Sequence, residues 1–168
     1  MPSKTSKPRP KPSRPEKTWK AVRGCSEQAL IELAGQLGPE LKPGDRVLLE
    51  GSLGAGKTTF ARALLRALGV IQPPEGSPTF AIAHEYETAS RVGVVHVDLY
   101  RLKSEAEIDE AGIPDYFWDP SRIVICEWLS MWSDFERAVL KSGRNWRVSL
   151  EASEDVNSRD VLITRPGP

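Results

Sequence analysis

Cysteine and histidine are scarce in this sequence, two of each in 168 residues. Cys25 and Cys126 lie far apart and form no CxxC, so they read as ordinary reduced thiols rather than a disulfide framework. Together with His84 and His96 they lack the spacing of a zinc set. Long apolar runs are also missing. None approaches the roughly 18 residues that a membrane-spanning helix needs. The first residues are basic and proline-rich with no apolar stretch behind them, which does not read as a secretory signal. These absences lead us to expect a cytoplasmic protein with no membrane association.

Formal net charge is zero, but the charge is not evenly spread. Residues 1–23 carry eight basic groups and one acid, leaving fifteen basic against twenty-two acidic groups in the rest. Residues 1–18 hold Pro, Lys, Arg and Ser and cannot build a core, so a disordered basic arm is expected there. Such an arm is open to weak, salt-sensitive contact with a polyanion, or serves only as a solubilising tail. Residues 19–165 suit one domain with a genuine core.

The organising stretch is Gly51-Ser52-Leu53-Gly54-Ala55-Gly56-Lys57-Thr58-Thr59. It matches G-x-x-x-x-G-K-[ST]. A short apolar strand over 46–50 precedes it, and a helical pattern over 58–68, stopped by Gly69, follows. Strand, glycine loop and helix are the context that this motif requires. The glycines let backbone wrap a phosphate chain, and several N–H groups converge at a helix N-terminus whose dipole favours anions. Nucleoside triphosphate binding follows, with Lys57 on the β- and γ-phosphates and the Thr58 hydroxyl on Mg²⁺.

Two further strands, 92–98 and 122–127, are apolar along their length and end on acids, Asp98 and Glu127. Apolar strands alternating with helices indicate an α/β protein with a mainly parallel sheet covered by helices on both faces. Ligands on such a sheet sit beyond the carboxyl ends of its strands, where both acids and the glycine loop fall. One acid would organise the metal and the other the attacking water, and both assignments stay open. By period-two alternation His96 shares the Asp98 side of its strand, either supporting the site or satisfied in the core. Trp128 follows Glu127 and has three open roles: stacking on a base, covering the site, or core.

The remaining chain reads more coarsely. An edge strand is expected over 19–22, and a helix over 27–37 behind an N-cap at Ser26. Residues 70–78 read as a polar loop and 79–87 as extended. Ser104 and Glu107 form a capping box for a short helix ending at Ala111. Asp115 to Pro120 reads as an aromatic loop whose Tyr116, Phe117 and Trp118 make a packing plug or a docking surface. A helix over 131–141 and an antiparallel pair, 146–150 with 160–163, complete the chain.

Taken together, G-S-L-G-A-G-K-T-T (51–59), S-P-T-F (77–80) with Glu85-Tyr86, H-V-D-L-Y-R-L (96–102), G-I-P-D-Y-F (112–117) and C-E-W (126–128) resemble the TsaE family, also called YjeE. The resemblance runs from about residue 26 to 130. It implies a P-loop NTPase fold and a small cytoplasmic ATPase that uses ATP and Mg²⁺. It also implies slow hydrolysis alone and faster hydrolysis with the TsaB–TsaD complex, in forming threonylcarbamoyladenosine at position 37 of tRNAs that read codons beginning with adenosine. Contact with tRNA would be indirect. The expected catalytic residues are Lys57, Asp98, Glu127 and Thr79. The expected nucleotide-binding residues are Gly51, Ser52, Leu53, Gly54, Ala55, Gly56, Lys57, Thr58 and Thr59, with Trp128. Thr58, Asp98 and Glu127 would hold the metal, and Thr79 and Glu85 fall on a switch-like loop. The sequence departs from the family pattern at Ser52, Ala111 and Leu129, and the basic arm is not a family feature.

Two other functional classes fit the sequence less well. A small-molecule kinase would need an arginine-bearing lid, and no lid-sized insertion follows the glycine loop. A guanine-nucleotide switch would need an [NT]-K-x-D segment, which the chain lacks.

Overall fold

The computed structural model describes residues 16–70, 82–153 and 155–167. Its seven-stranded sheet is built from β1 (Lys17–Cys25), β2 (Asp45–Gly51), β3 (Ala83–Glu87), β4 (Gly93–Asp98), β5 (Arg122–Glu127), β6 (Arg144–Ala152) and β7 (Arg159–Arg165). The strand order is β1-β7-β6-β2-β5-β4-β3. The four central strands, β6-β2-β5-β4, are mutually parallel. Both margins are antiparallel, with β3 against β4 on one side and β7 against β6 and β1 on the other. A sheet that is parallel at its centre is therefore closed by antiparallel edge strands. The expected pairing of 146–150 with 160–163 is present, and β6 also joins β2.

Among the described residues five α-helices cover the sheet: α1 (Glu27–Leu37), α2 (Lys57–Ala67), α3 (Ala106–Glu110), α4 (Ile113–Trp118) and α5 (Ser133–Leu140). Alternation along the strands sorts the core into two layers. Val47, Leu49, Val94, Ile123, Ile125, Val148 and Val161 pack with α1 and α2. Leu48, Val95, Val97, Val124 and Cys126 pack with α3, α4 and α5. Both strand faces are buried, which is why these strands read as unbroken apolar runs rather than alternating ones.

Helix α1 starts where its cap places it, with the Ser26 hydroxyl accepting the Ala29 N–H at 3.2 Å. It ends against α2 so closely that a Cβ on Gly38 would lie 2.7 Å from the Ala67 Cβ. Phe60 and Leu64 on α2 are fully buried in the same layer. Truncating Phe60 there would cost about 3–5 kcal/mol through the cavity it leaves.

Two local expectations are corrected. Residues 113–118 are helical, not a loop: Gly112 takes a left-handed conformation and Pro114 occupies the first helical turn. The Ser104–Glu107 capping box does not form. The helix begins at Ala106 without a side-chain cap, and the Glu107 carboxylate accepts the Lys103 N–H instead. Residues 70–78 and most of the 79–82 extension lie outside the described residues, apart from Val70 and Ile82.

Candidate nucleotide site

The carboxyl end of β2 turns directly into the glycine loop. Gly51 has φ +147°, and a Cβ there would sit 2.4 Å from the Leu150 carbonyl oxygen, so no larger residue fits. Gly56 caps α2 with φ +105°, and a Cβ there would meet a Leu30 methyl at 2.9 Å. Between them Ser52, Leu53, Gly54 and Ala55 form the turn, closed by an Ala55 N–H bond to the Ser52 carbonyl at 3.2 Å. Leu53 stands at the tip, 74% exposed.

Lys57 opens α2 and folds back under this loop. Its ammonium donates to the Gly51 and Ser52 carbonyls at 2.8 and 2.7 Å. Its Nζ also lies 3.7 Å from the centroid of the Trp128 ring, so the indole covers the lysine. Burial pulls the Lys57 pKa below its usual value, while the nearby Glu127 and Asp98 charges work the other way. Trp128 holds this place with φ +67°, an uncommon backbone state for a bulky residue. Tyr100 packs on its ring at 4.7 Å between centroids.

The two acids arrive together through strand register. Asp98 and Glu127 are direct partners across β4 and β5. Each is in phase with the strand residues that face α2, which turns both toward the start of that helix. The Thr58 hydroxyl donates to the Glu127 carboxylate at 3.1 Å. Glu127 is 1% exposed, and its other buried neighbour is His96, whose Nε2 lies 2.8 Å from Oε1. With Nε2 carrying the proton, His96 donates to the carboxylate and fixes its orientation. His96 Nδ1 is then an acceptor without a hydrogen-bond partner among the described residues. Asp98 accepts the Tyr100 N–H at 3.0 Å.

Lys57, Thr58, Asp98, Glu127, His96 and Trp128 are thus gathered at one edge of the sheet, beside the loop. Thr59 follows in the first turn of α2, half-buried. Glu85 is not gathered with them. Its carboxylate is held by the Tyr116 hydroxyl at 2.8 Å and by Arg122, which opens β5 at the end opposite Glu127. Thr79 lies outside the described residues.

Among the described residues there is no group of three or more His, Cys, Asp and Glu side chains able to hold a metal by themselves. Thr58, Glu127 and Asp98 are instead a sparse set of hard oxygens. That suits Mg²⁺, which keeps several waters and binds through one or two carboxylates plus substrate phosphates.

A family model described as threonylcarbamoyl adenosine biosynthesis protein TsaE matches residues 25–161 of this chain. The chain belongs to the TsaE family. The TsaE of Bacillus subtilis (strain 168) is 36% identical over 149 residues, covering 89% of this chain and 85% of that protein. The TsaE of Rickettsia conorii is 41% identical over 103 residues, 61% of this chain and 57% of that protein's length. Among solved structures, the crystal structure of Bacillus subtilis YdiB superposes with a TM-score of 0.68 at 25% identity, covering 92% of this chain and 90% of that one. Both the TsaE family and the P-loop fold of its members are therefore shared by this chain. No helix among the described residues is long and apolar enough to cross a membrane.

The site contains residues that pattern reading did not single out. Tyr100 packs on Trp128. The His96–Glu127 hydrogen bond spans 31 positions, and the only signal for it in the sequence is that His96 and Asp98 share a strand face.

Proposed function

We propose that this chain binds ATP with Mg²⁺ and hydrolyses it slowly, in support of a TsaB–TsaD-type complex that forms threonylcarbamoyladenosine at position 37 of tRNAs reading ANN codons. The setting is cytoplasmic, and tRNA is met through the complex. One observation carries the nucleotide reading: Thr58 at the start of α2 donates to the buried Glu127 carboxylate while Lys57 bridges the loop from the adjacent position. That is the arrangement in which a hydroxyl, a strand-end acid and a lysine converge on one phosphate-and-metal position.

The loop N–H groups and the α2 N-terminus bind the phosphate chain. Lys57 leaves its two carbonyl acceptors for phosphate oxygens, which are stronger acceptors for a cation. Thr58 and Asp98 would hold Mg²⁺ with Glu127 beside them, and the ion's chemistry would be to neutralise charge on the terminal phosphates. Glu127, oriented by His96, accepts a proton or orients water at the terminal phosphate, while Asp98 serves the metal. Trp128, with Tyr100 packed on its ring, covers the lysine and keeps bulk water from it. Thr79 and Glu85 belong to the proposed switch segment.

The test is ATP turnover by the purified chain, with and without a TsaB–TsaD complex, against Lys57→Ala as blank. Slow turnover that rises on adding the complex supports the proposal. Turnover that the complex does not change removes the partnership, and absence of ATP binding removes the nucleotide reading.

A further inference from the structure

A second cation stands beside the glycine loop, and it makes no ion pair among the described residues. Arg159 is the first residue of β7, paired with Cys25 on one side and Ala152 on the other. It is in phase with Val161 and Ile163, so its side chain turns toward the layer of α1 and α2. A Cβ on Gly56 would lie 3.5 Å from Arg159 Nη1 and 3.8 Å from its Cδ. Nη1 is buried and has no hydrogen-bond partner among the described residues. Cys25 is no counter-ion, since burial pushes its thiol pKa up and Arg159 offsets that only in part. A buried guanidinium N–H without an acceptor is costly, so its persistence next to a phosphate loop calls for an anion.

Sheet order says which part of a nucleotide that anion is. β6 and β7 lie on one side of β2, while β5 and β4 lie on the other. Thr58, Glu127 and Asp98 gather on the β5 side. The metal and the γ-phosphate belong there, so the opposite end of the triphosphate runs toward β6 and β7. We propose that Arg159 is a phosphate-contacting residue that holds the α-phosphate end of the bound nucleotide beside Gly56. Its planar fork matches two phosphate oxygens, a geometry that Lys does not reproduce. The assignment rests on the nucleotide reading of the loop. It goes further in giving the P-loop a second cation from the last strand of the sheet, separate in role from Lys57.

A contact at the α-phosphate is made equally to ATP and ADP. Arg159→Met therefore weakens both by the same factor, about 10- to 100-fold for a lost charge-assisted pair. The loss appears in KM more than in kcat, because the contact does not change as the γ-phosphate leaves. Arg159→Lys retains charge and falls between the two. The nucleotide-free protein responds in the opposite sense: losing a partly buried guanidinium whose Nη1 has no acceptor raises, or leaves unchanged, the melting temperature of Arg159→Met. A merely structural arginine would lower it.

The experiment is calorimetric titration of the full chain, its Arg159→Met and Arg159→Lys variants and Lys57→Ala with ATP and ADP, alongside melting without nucleotide. Equal weakening for both nucleotides with no loss of apo stability is the expected result. Wild-type affinity in both Arg159 variants, with Lys57→Ala impaired, overturns the Arg159 assignment and leaves the nucleotide reading standing. Weakening of ATP alone, or a lowered melting temperature in Arg159→Met with normal binding by Arg159→Lys, also overturns it. A wild-type chain that binds neither nucleotide overturns both.

Discussion

The two ends of strand β2 carry buried charge of different kinds. At its amino end Asp45 and Arg46 are almost fully buried, yet their hydrogen-bonding capacity is met by fixed partners. Asp45 accepts from the Lys42 N–H, the Trp146 indole and Arg144. Arg46 donates to the carbonyls of Phe117, Val139 and Ser142, and its guanidinium lies over the Phe117 and Trp118 rings. At the carboxyl end Lys57 donates to two loop carbonyls under the Trp128 ring, and among the described residues His96 Nδ1 lacks a donor and Arg159 Nη1 lacks an acceptor. Burial of charge alone does not distinguish a working site from a structural clamp. For the charged groups at these two ends, spare hydrogen-bonding capacity does: Asp45 and Arg46 are saturated by fixed partners, whereas the carboxyl-end groups keep capacity for what the site binds.

Substitutions can break this comparison. The largest effect is expected from Lys57→Ala, with ATP affinity down about 100-fold or more as the β/γ charge loses its cation. Calorimetric titration reads it directly, and unchanged affinity would move Lys57 to the structural class. Next is Glu127→Gln. Turnover is expected to fall about 100-fold while nucleotide affinity changes little, since an amide cannot take a proton or orient water as a carboxylate does. Turnover close to that of wild type would strip Glu127 of its role in the chemistry.

At the other end of the strand, Asp45→Ala should leave nucleotide affinity alone and cost about 2–3 kcal/mol of stability, because the Trp146 indole and the Lys42 N–H lose their acceptor. Urea unfolding with and without ATP separates the two readouts. A change in affinity as large as the change in stability would show that the two ends are coupled through the strand.

The smallest effect concerns Glu85. The Tyr116 hydroxyl and then Arg122 hold its carboxyl pKa below the ordinary value. A carboxylate depressed in the folded state contributes stability above its unfolded pKa and loses it as pH falls through the folded pKa. Glu85→Gln should therefore destabilise the protein by less than about 1 kcal/mol at pH 7, as expected for a half-exposed pair, and by nothing at pH 2. Equal urea midpoints for variant and wild type at pH 7 would refute this.

How much could be read beforehand depended on the range of the interaction. β5 and α1 were legible to the residue, since each carries its own periodicity and α1 has the Ser26 cap. Helix α4 was not, because six residues give less than two turns of pattern and its aromatics suggested a loop. The Ser104–Glu107 pattern misled because Glu107 found a nearer donor in the Lys103 N–H. The glycine loop, Lys57, Thr58 and the two strand-end acids are local motifs and could be named, whereas the approach of Arg159 to Gly56 depends on β7 lying two strands from β2. No local pattern encodes that distance, and only sheet topology does.

The pairing of β1 with β7 also has a consequence in time. Lys17 meets Arg165, so the first strand waits for the last before it has a neighbour. β2 likewise waits for β6 to cover one of its flanks. On a chain leaving the ribosome the phosphate loop emerges well before β6 and β7, so the sheet around that loop closes only once those two strands have followed it. Because such sequence-distant pairings are slow to form, nucleotide binding should be acquired late, and stalled or C-terminally truncated chains should be left without it.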